Sequence, residues 1–162
     1  MIILGIDPGS TRIGYGVIES SPKLRYLDCG IIELKRSSNT NLIKELSIKL
    51  DEILDNYQPD IVGVEKIYFS KNVKTGIEVA QARGAILLTI AQKNIEVKEY
   101  SPSEIKSTVT NYGLSDKKAV AKMVMKFLNI EKLDCLDDVS DALAIAITTA
   151  NIATSVLSQG NS

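Results

Sequence analysis

Five apolar residues, Ile2-Ile3-Leu4-Gly5-Ile6, run without interruption into Asp7-Pro8-Gly9-Ser10. An unbroken apolar run of this length, stopped by turn residues, predicts a strand buried on both faces. Such a strand needs a layer above it and a layer below, and this one delivers an acid, Asp7, at its carboxyl end. Ile13-Gly14-Tyr15-Gly16-Val17-Ile18 follows after a short connection, as a hairpin partner would. Leu24 to Ile32 predicts a third strand, in which Gly30 is expected to mark a bulge. The spacing then becomes helical, with Leu42, Leu46, Ile48, Leu50, Ile53 and Leu54 recurring up to Tyr57 and Pro59 just beyond. Ile61-Val62-Gly63-Val64-Glu65 predicts a short strand that again closes on an acid. Residues 74–92 predict a helix and 95–100 a fifth strand. Ser101-Pro102-Ser103-Glu104 opens another helix, a further one fits 115–128 with Ser115 or Asp116 as its cap, and the last covers 136–157. Three meandering strands followed by alternating helix and strand predict an α/β domain, a mixed five-stranded sheet flanked by helices. A chain of 162 residues holds one such domain, expected over 1–157 with a short tail at 158–162.

The chain contains no histidine. This excludes Ser-His-Asp and Cys-His nucleophilic sites and any imidazole metal ligand. Acid-base or metal chemistry must therefore run on carboxylates, lysines, tyrosines or metal-bound water. Cys29 and Cys135 stand far apart, without zinc-type spacing, and read as ordinary thiols of a reducing compartment. The opening residues lack the basic and long apolar regions of an export signal. The apolar-rich stretch from Ala142 to Ala153 is shorter than the ~20 residues that span a bilayer. A cytoplasmic protein without a membrane partner is expected.

Net charge is −1, but its distribution is uneven. Residues 1–65 carry 7 basic and 10 acidic side chains, residues 66–126 carry 11 and 5, and residues 127–162 carry 1 and 5. A basic middle between acidic ends suggests an anion-binding surface beside a carboxylate cluster, against the plainer reading of a lysine-rich solvated face. The helix at 74–92 carries two apolar stripes. Ile77, Ala80, Gly84, Leu87, Leu88 and Ala91 line one, and Val79, Ala82, Ile86 and Ile90 the other. A monomer-surface helix needs only one, so a symmetric homodimer packed through this helix is expected.

Asp7 and Glu65 end the first and fourth strands. If those strands are parallel neighbours, both acids open into the crevice at the carboxyl edge of the sheet. Asp138 and Asp141, three apart at the start of the last helix, share one helical face, with Asp134 and Asp137 close in sequence. Singly, each acid has a plain explanation: a turn residue at Asp7, a surface acid at Glu65, and favourable placement at the positive end of a helix for the aspartates. Together they suggest four converging carboxylates, which repel unless cations bind among them. Hard oxygen donors without sulfur or imidazole select Mg²⁺ or Mn²⁺. Phosphodiester hydrolysis with two ions ~3.5–4 Å apart fits such a site.

Four segments in order resemble the bacterial RuvC Holliday junction resolvases, a family with a ribonuclease H-like fold. They are Ile3-Leu4-Gly5-Ile6-Asp7-Pro8-Gly9-Ser10 followed by Gly14-Tyr15-Gly16, Val64-Glu65 with the loop through Lys71-Asn72, Gln81-Ala82-Arg83-Gly84, and Asp138-Val139-Ser140-Asp141-Ala142-Leu143-Ala144-Ile145-Ala146. The resemblance covers about residues 1–152. It implies a homodimeric endonuclease that resolves four-way DNA junctions, each subunit nicking one of two opposed strands. It implies Asp7, Glu65, Asp138 and Asp141 as ligands of two Mg²⁺ per subunit, with Mn²⁺ substituting. Lys106 and Lys117 match basic positions near the scissile phosphate. Tyr68 matches an aromatic position that contacts bases at the open junction, and Phe69 follows it immediately. Lys71, Lys74, Arg83 and Lys118 in the basic segment are further candidate DNA contacts. A branch-migration complex is a family-level partner. Some relatives place a histidine in the last acidic group, whereas this chain has aspartates throughout.

Three other readings remain at this point. A relative of the same fold that trims ribosomal RNA precursors shares the opening hairpin, but the Gln81-Ala82-Arg83-Gly84 helix and the Tyr68-Phe69 pair are not expected in it. An actin-like phosphotransferase would use Asp7-Pro8-Gly9-Ser10 on phosphate, but that class needs two lobes. A non-catalytic junction-binding module would bind without cutting.

Overall fold

The computed structural model describes residues 1–20, 22–35, 38–67, 73–131 and 136–159, with side chains described except at 73, 74, 136–138 and 154–159. The strands are β1 (Ile2–Asp7), β2 (Arg12–Ser20), β3 (Leu24–Glu33), β4 (Ile61–Glu65) and β5 (Glu96–Tyr100). The helices are α1 (Asn39–Tyr57), α2 (Val73–Gln92), α3 (Pro102–Thr110), α4 (Lys117–Leu128) and α5 (Leu136–Gln159). All five strands join one sheet in the order β3-β2-β1-β4-β5. β1–β2 and β2–β3 are antiparallel, and β1–β4 and β4–β5 are parallel. The expected mixed sheet is the one observed.

Strand alternation sorts the core into two layers. On β1, Leu4 and Ile6 face one side and pack with Leu46, Leu50 and Leu54 of α1 and Ile86 and Ile90 of α2. Ile3 faces the other side and packs with Leu143, Ile145 and Ile147 of α5 and with Ile105 and Val124 of α3 and α4. β4 repeats the pattern, with Val62 and Val64 towards α1 and α2 and Ile61 towards α5.

The α5 side of the sheet carries a row of glycines. Gly5 pairs with Gly16 across the antiparallel ladder and with Gly63 across the parallel one. A Cβ on Gly5 would lie 2.1 Å from the Ala142 carbonyl oxygen and 2.5 Å from the Ala146 nitrogen. One on Gly16 would lie 2.7 Å from the Leu143 side chain, and one on Gly63 2.1 Å from Thr149 Oγ1. These glycines supply space and not an unusual backbone, since no described glycine has positive φ. The last helix therefore rests on the backbone of the three central strands.

The bulge expected at Gly30 lies elsewhere. Val17 pairs with Asp28 and Ile18 with Tyr26, so Leu27 is the extra residue. Gly30 is small for another reason: it pairs with Tyr15, and a Cβ there would come within 2.8 Å of the Tyr15 ring. Helix boundaries follow local chemistry. Ser101 and Glu104 form a reciprocal capping box at α3, with Glu104 N donating to Ser101 Oγ at 3.2 Å and Ser101 N to Glu104 Oε2 at 2.7 Å. Of the two candidate caps for α4, Asp116 takes the role and accepts from Ala119 N at 2.8 Å. The last helix runs to Gln159, past its expected end.

Candidate active site

The site follows from that alternation. Asp7 is two residues beyond Gly5 on β1, and Glu65 is two beyond Gly63 on β4. Each acid therefore projects from the same face as its glycine, the face covered by α5. The parallel register sets Ile6 beside Val64, so the two acids emerge side by side at the strand ends. Their carboxyls share a hydrogen bond. Asp141 immediately precedes the Ala142 carbonyl that touches Gly5, so the glycine contact fixes the level at which α5 presents its first turns.

Burial, and next the negative charge of Asp141, push the Glu65 carboxyl above its ordinary value. The hydrogen bond from Asp7 and the positive charges of Lys117 and Lys106 act in the opposite direction. Lys117, at the start of α4, donates to Asp141 Oδ2 at 2.8 Å. Lys106, on α3, is half-buried on the same side. Three acids from three elements and two lysines from two more thus meet at the carboxyl edge of β1 and β4. The Asp7 and Glu65 carboxyls are thus joined by a hydrogen bond and the Lys117 ammonium group pairs with Asp141.

Among the described residues, no three Asp, Glu or Cys side chains close to metal-holding distance. The donors nevertheless fit a hard divalent ion: all are carboxylate oxygens, and Glu65 resists ionisation first because it is buried and next because Asp141 is near. Asp138 lies on α5 one turn before Asp141, and its side chain is outside the described set.

Other residues singled out in the sequence fall as follows. Lys118 is exposed in the first turn of α4. Tyr68, Phe69 and Lys71 lie outside the described residues, as does the side chain of Lys74. Arg83 is mostly buried and turned towards the protein: its Nε donates to the Glu65 main-chain oxygen at 3.3 Å, and its guanidinium pairs with the Glu99 carboxylate. Sequence reading passed over two features, this link and the glycine row. The glycines had a visible signal, because both acid-bearing strands read glycine, apolar, acid: Gly5-Ile6-Asp7 and Gly63-Val64-Glu65. The Arg83 link had none, since its partners come from β4 and β5.

A mixed sheet in this order, with helices on both faces and acids at the ends of its central parallel pair, defines a domain of the ribonuclease H-like fold. The family model "Crossover junction endodeoxyribonuclease RuvC" matches residues 3–149. A protein of that name from Clostridioides difficile is 46% identical over 153 residues, covering 93% of this chain and 90% of its own. Another, from Caldicellulosiruptor saccharolyticus, is 41% identical over 162 residues and covers 98% of both chains. The structure of Thermus thermophilus RuvC in complex with a Holliday junction substrate superposes with a TM-score of 0.85 at 27% identity, covering 95% of this chain and 96% of that one. The chain belongs to the RuvC family of crossover junction endodeoxyribonucleases. No described helix is long and apolar enough to cross a membrane.

Proposed function

We propose that this chain, as a homodimer, resolves four-way DNA junctions by hydrolysing one phosphodiester on each of two opposed strands. The observation that carries the reading is the meeting of Asp7, Glu65 and Asp141 with Lys106 and Lys117 at one sheet edge. Asp7, Glu65, Asp138 and Asp141 would hold two Mg²⁺, with Mn²⁺ substituting. Ions held there would supply an activated water and charge stabilisation for the departing 3′ oxygen. The protein contributes the rest. The acids fix where the reacting phosphate must lie. Lys106 and Lys117 place positive charge beside it, where it counters the negative charge that grows during displacement. Lys118 adds an exposed positive charge for the phosphate backbone; Lys71 and Lys74 as further backbone contacts, and Tyr68 and Phe69 as rings that would stack on bases at an opened junction centre for ~1–3 kcal/mol per base, rest on the sequence alone.

The direct test incubates the purified protein with a synthetic four-way junction and a linear duplex, each in Mg²⁺, Mn²⁺ and EDTA. Paired nicks in the junction alone, lost in EDTA, are expected. Equal cutting of the duplex, or cutting that survives EDTA, would overturn the reading.

The dimer rests on α2. Ala82, Ile86 and Ile90 are buried against the sheet, whereas Ile77 is 50% and Leu88 60% exposed, and a Cβ on Gly84 would meet nothing within 4 Å. The two stripes read from the sequence are thus one buried and one open, except that Leu87 is half-buried and packs on the core. An open apolar stripe with a glycine at its centre lets a second copy of the helix approach closely, and a junction with two equivalent strands is met by a two-fold pair of sites. Leu88→Glu should yield a monomer by light scattering, with protomer stability changed by no more than about 0.5 kcal/mol because the site is exposed. Paired cutting should fall at least tenfold. A persistent dimer would remove α2 from the interface.

The raised Glu65 carboxyl gives a pH prediction. Its folded value lies above its unfolded one, so between the two the native state holds the extra proton. Stability of the metal-free protein should therefore fall as pH rises from the ordinary carboxylate range through the folded value of Glu65. Mg²⁺ replaces that proton, so its affinity should rise over the same range. At a hundred times its Kd, bound Mg²⁺ should stabilise by about 2.7 kcal/mol, or about 5–10 °C in Tm for a chain of this size. Thermal melts across pH, with and without Mg²⁺, check both trends.

A further inference from the structure

Arg83 sits behind the acid that the proposed chemistry depends on. It projects from α2, on the opposite face of the sheet from the Glu65 carboxyl. Its Nε donates to the Glu65 main-chain oxygen at 3.3 Å, and its guanidinium pairs with the Glu99 carboxylate on β5. Val64 pairs with Glu99 and Glu65 with Tyr100, so Glu99 is one step back along the neighbouring strand. Only 21% of the Arg83 side chain is exposed, and its neighbours Ala82 and Gly84 are respectively buried and open.

The last residue of a strand is where a sheet holds the backbone least. Lys66 N donates to the Tyr100 oxygen at 2.8 Å and keeps the chain in line for one further residue, while the Glu65 oxygen is taken by Arg83. A rotation of the Glu65 peptide would swing its carboxyl away from Asp7 and Asp141. We infer that Arg83 is a positioning residue: anchored on Glu99, it holds the Glu65 peptide from the rear and so aims the Glu65 carboxylate at the metal and phosphate. Its fixed fork suits this task, because one donor can grip a carboxylate while another grips a carbonyl. The inference rests on the proposed nuclease reading and removes Arg83 from the DNA-contact set.

The test compares wild type, Arg83→Gln, Arg83→Lys and Glu99→Gln as full-length dimers. Junction affinity, the salt dependence of that affinity, the single-turnover cutting rate at saturating protein, and the Mg²⁺-induced rise in Tm without DNA are measured for each. Arg83→Gln should cut about 10–100-fold more slowly, the range found when groups supporting metal ligands are removed. Its junction affinity should change less than threefold, its salt slope not at all, and its Mg²⁺-induced Tm rise should shrink. Arg83→Lys should recover part of the rate through the remaining ion pair, and Glu99→Gln should resemble Arg83→Gln in kind. Two results would overturn the inference. A weaker affinity with a salt slope reduced by about one would make Arg83 a phosphate contact. A lower Tm with an unchanged cutting rate and an unchanged Mg²⁺ response would make it a purely structural residue. The Mg²⁺ response separates this inference from the function it rests on: if wild type fails to cut junctions the nuclease reading falls, while the DNA-free melts still decide whether Arg83 governs the acid site.

Discussion

Asp7→Asn should stop cutting and keep binding. The substitution removes one negative charge from a cluster in which Glu65 is already held above its ordinary value by burial and by Asp141, and an amide can still hydrogen-bond to Glu65. The metal-free fold should therefore be no less stable, and its Tm unchanged or higher. What is lost is an oxygen donor of full negative charge. The cutting rate should fall by about a thousandfold or more, equivalent to about 4 kcal/mol of barrier. Junction affinity should hold, because the proposed contacts to the phosphate backbone are lysines and not the acids. Gel-shift titration, single-turnover cutting and thermal melts on one preparation separate these effects. Normal cutting by Asp7→Asn in Mg²⁺ would break the assignment at its root.

The second large effect is expected away from any charged group. In Gly5→Ala the new methyl would lie 2.1 Å from one backbone atom of α5 and 2.5 Å from another, and neither can swing aside as a side chain could. The helix as a whole must retreat from the sheet. Overpacking of this kind costs 1–3 kcal/mol and occasionally more; against backbone on both sides, about 3 kcal/mol or more is expected, read from the denaturant midpoint. Because Asp141 sits one residue before the contact, the retreat also draws it away from Glu65. Cutting should fall even under conditions where the variant is fully folded. Gly113→Ala is the control: its nearest neighbour would be at 3.4 Å, an ordinary contact, and stability should change by no more than about 0.5 kcal/mol. If Gly5→Ala is as stable as wild type, the helix does not rest on the sheet as described.

Much of this was legible in the chain because it depends on local pattern. The buried first strand, the acids ending two strands, the capping box at Ser101 and the three-residue spacing of Asp138 and Asp141 are each written within a few positions. The meeting of Asp7 with Glu65 needed one extra step, the parallel pairing of β1 with β4, which the alternation of helix and strand after Glu33 supplied. Features that depend on register across strands were not legible. Gly30 carried the mark of a bulge, but the extra residue is Leu27, because pairing of β2 with β3 decides which residue is left over. Arg83 read as a surface base in a basic stretch, and only the fold shows Glu99 and the Glu65 carbonyl within its reach. The glycine row is an intermediate case: each glycine is visible, but their alignment across β2, β1 and β4 belongs to the sheet.

That row has a consequence for how such a chain tolerates sequence drift. Most helix–sheet interfaces are spaced by interlocking side chains, so exchanging a leucine for a valine shifts the layers by a fraction of an ångström. Under α5 the spacer at Gly5 is main chain against main chain, whereas Gly16 and Gly63 are met by the side chains of Leu143 and Thr149. Aliphatic residues away from those contacts are therefore freer to interchange over generations while the Gly5 contact holds the closing helix at a set distance from the strand-end acids, insulated from the variation around it.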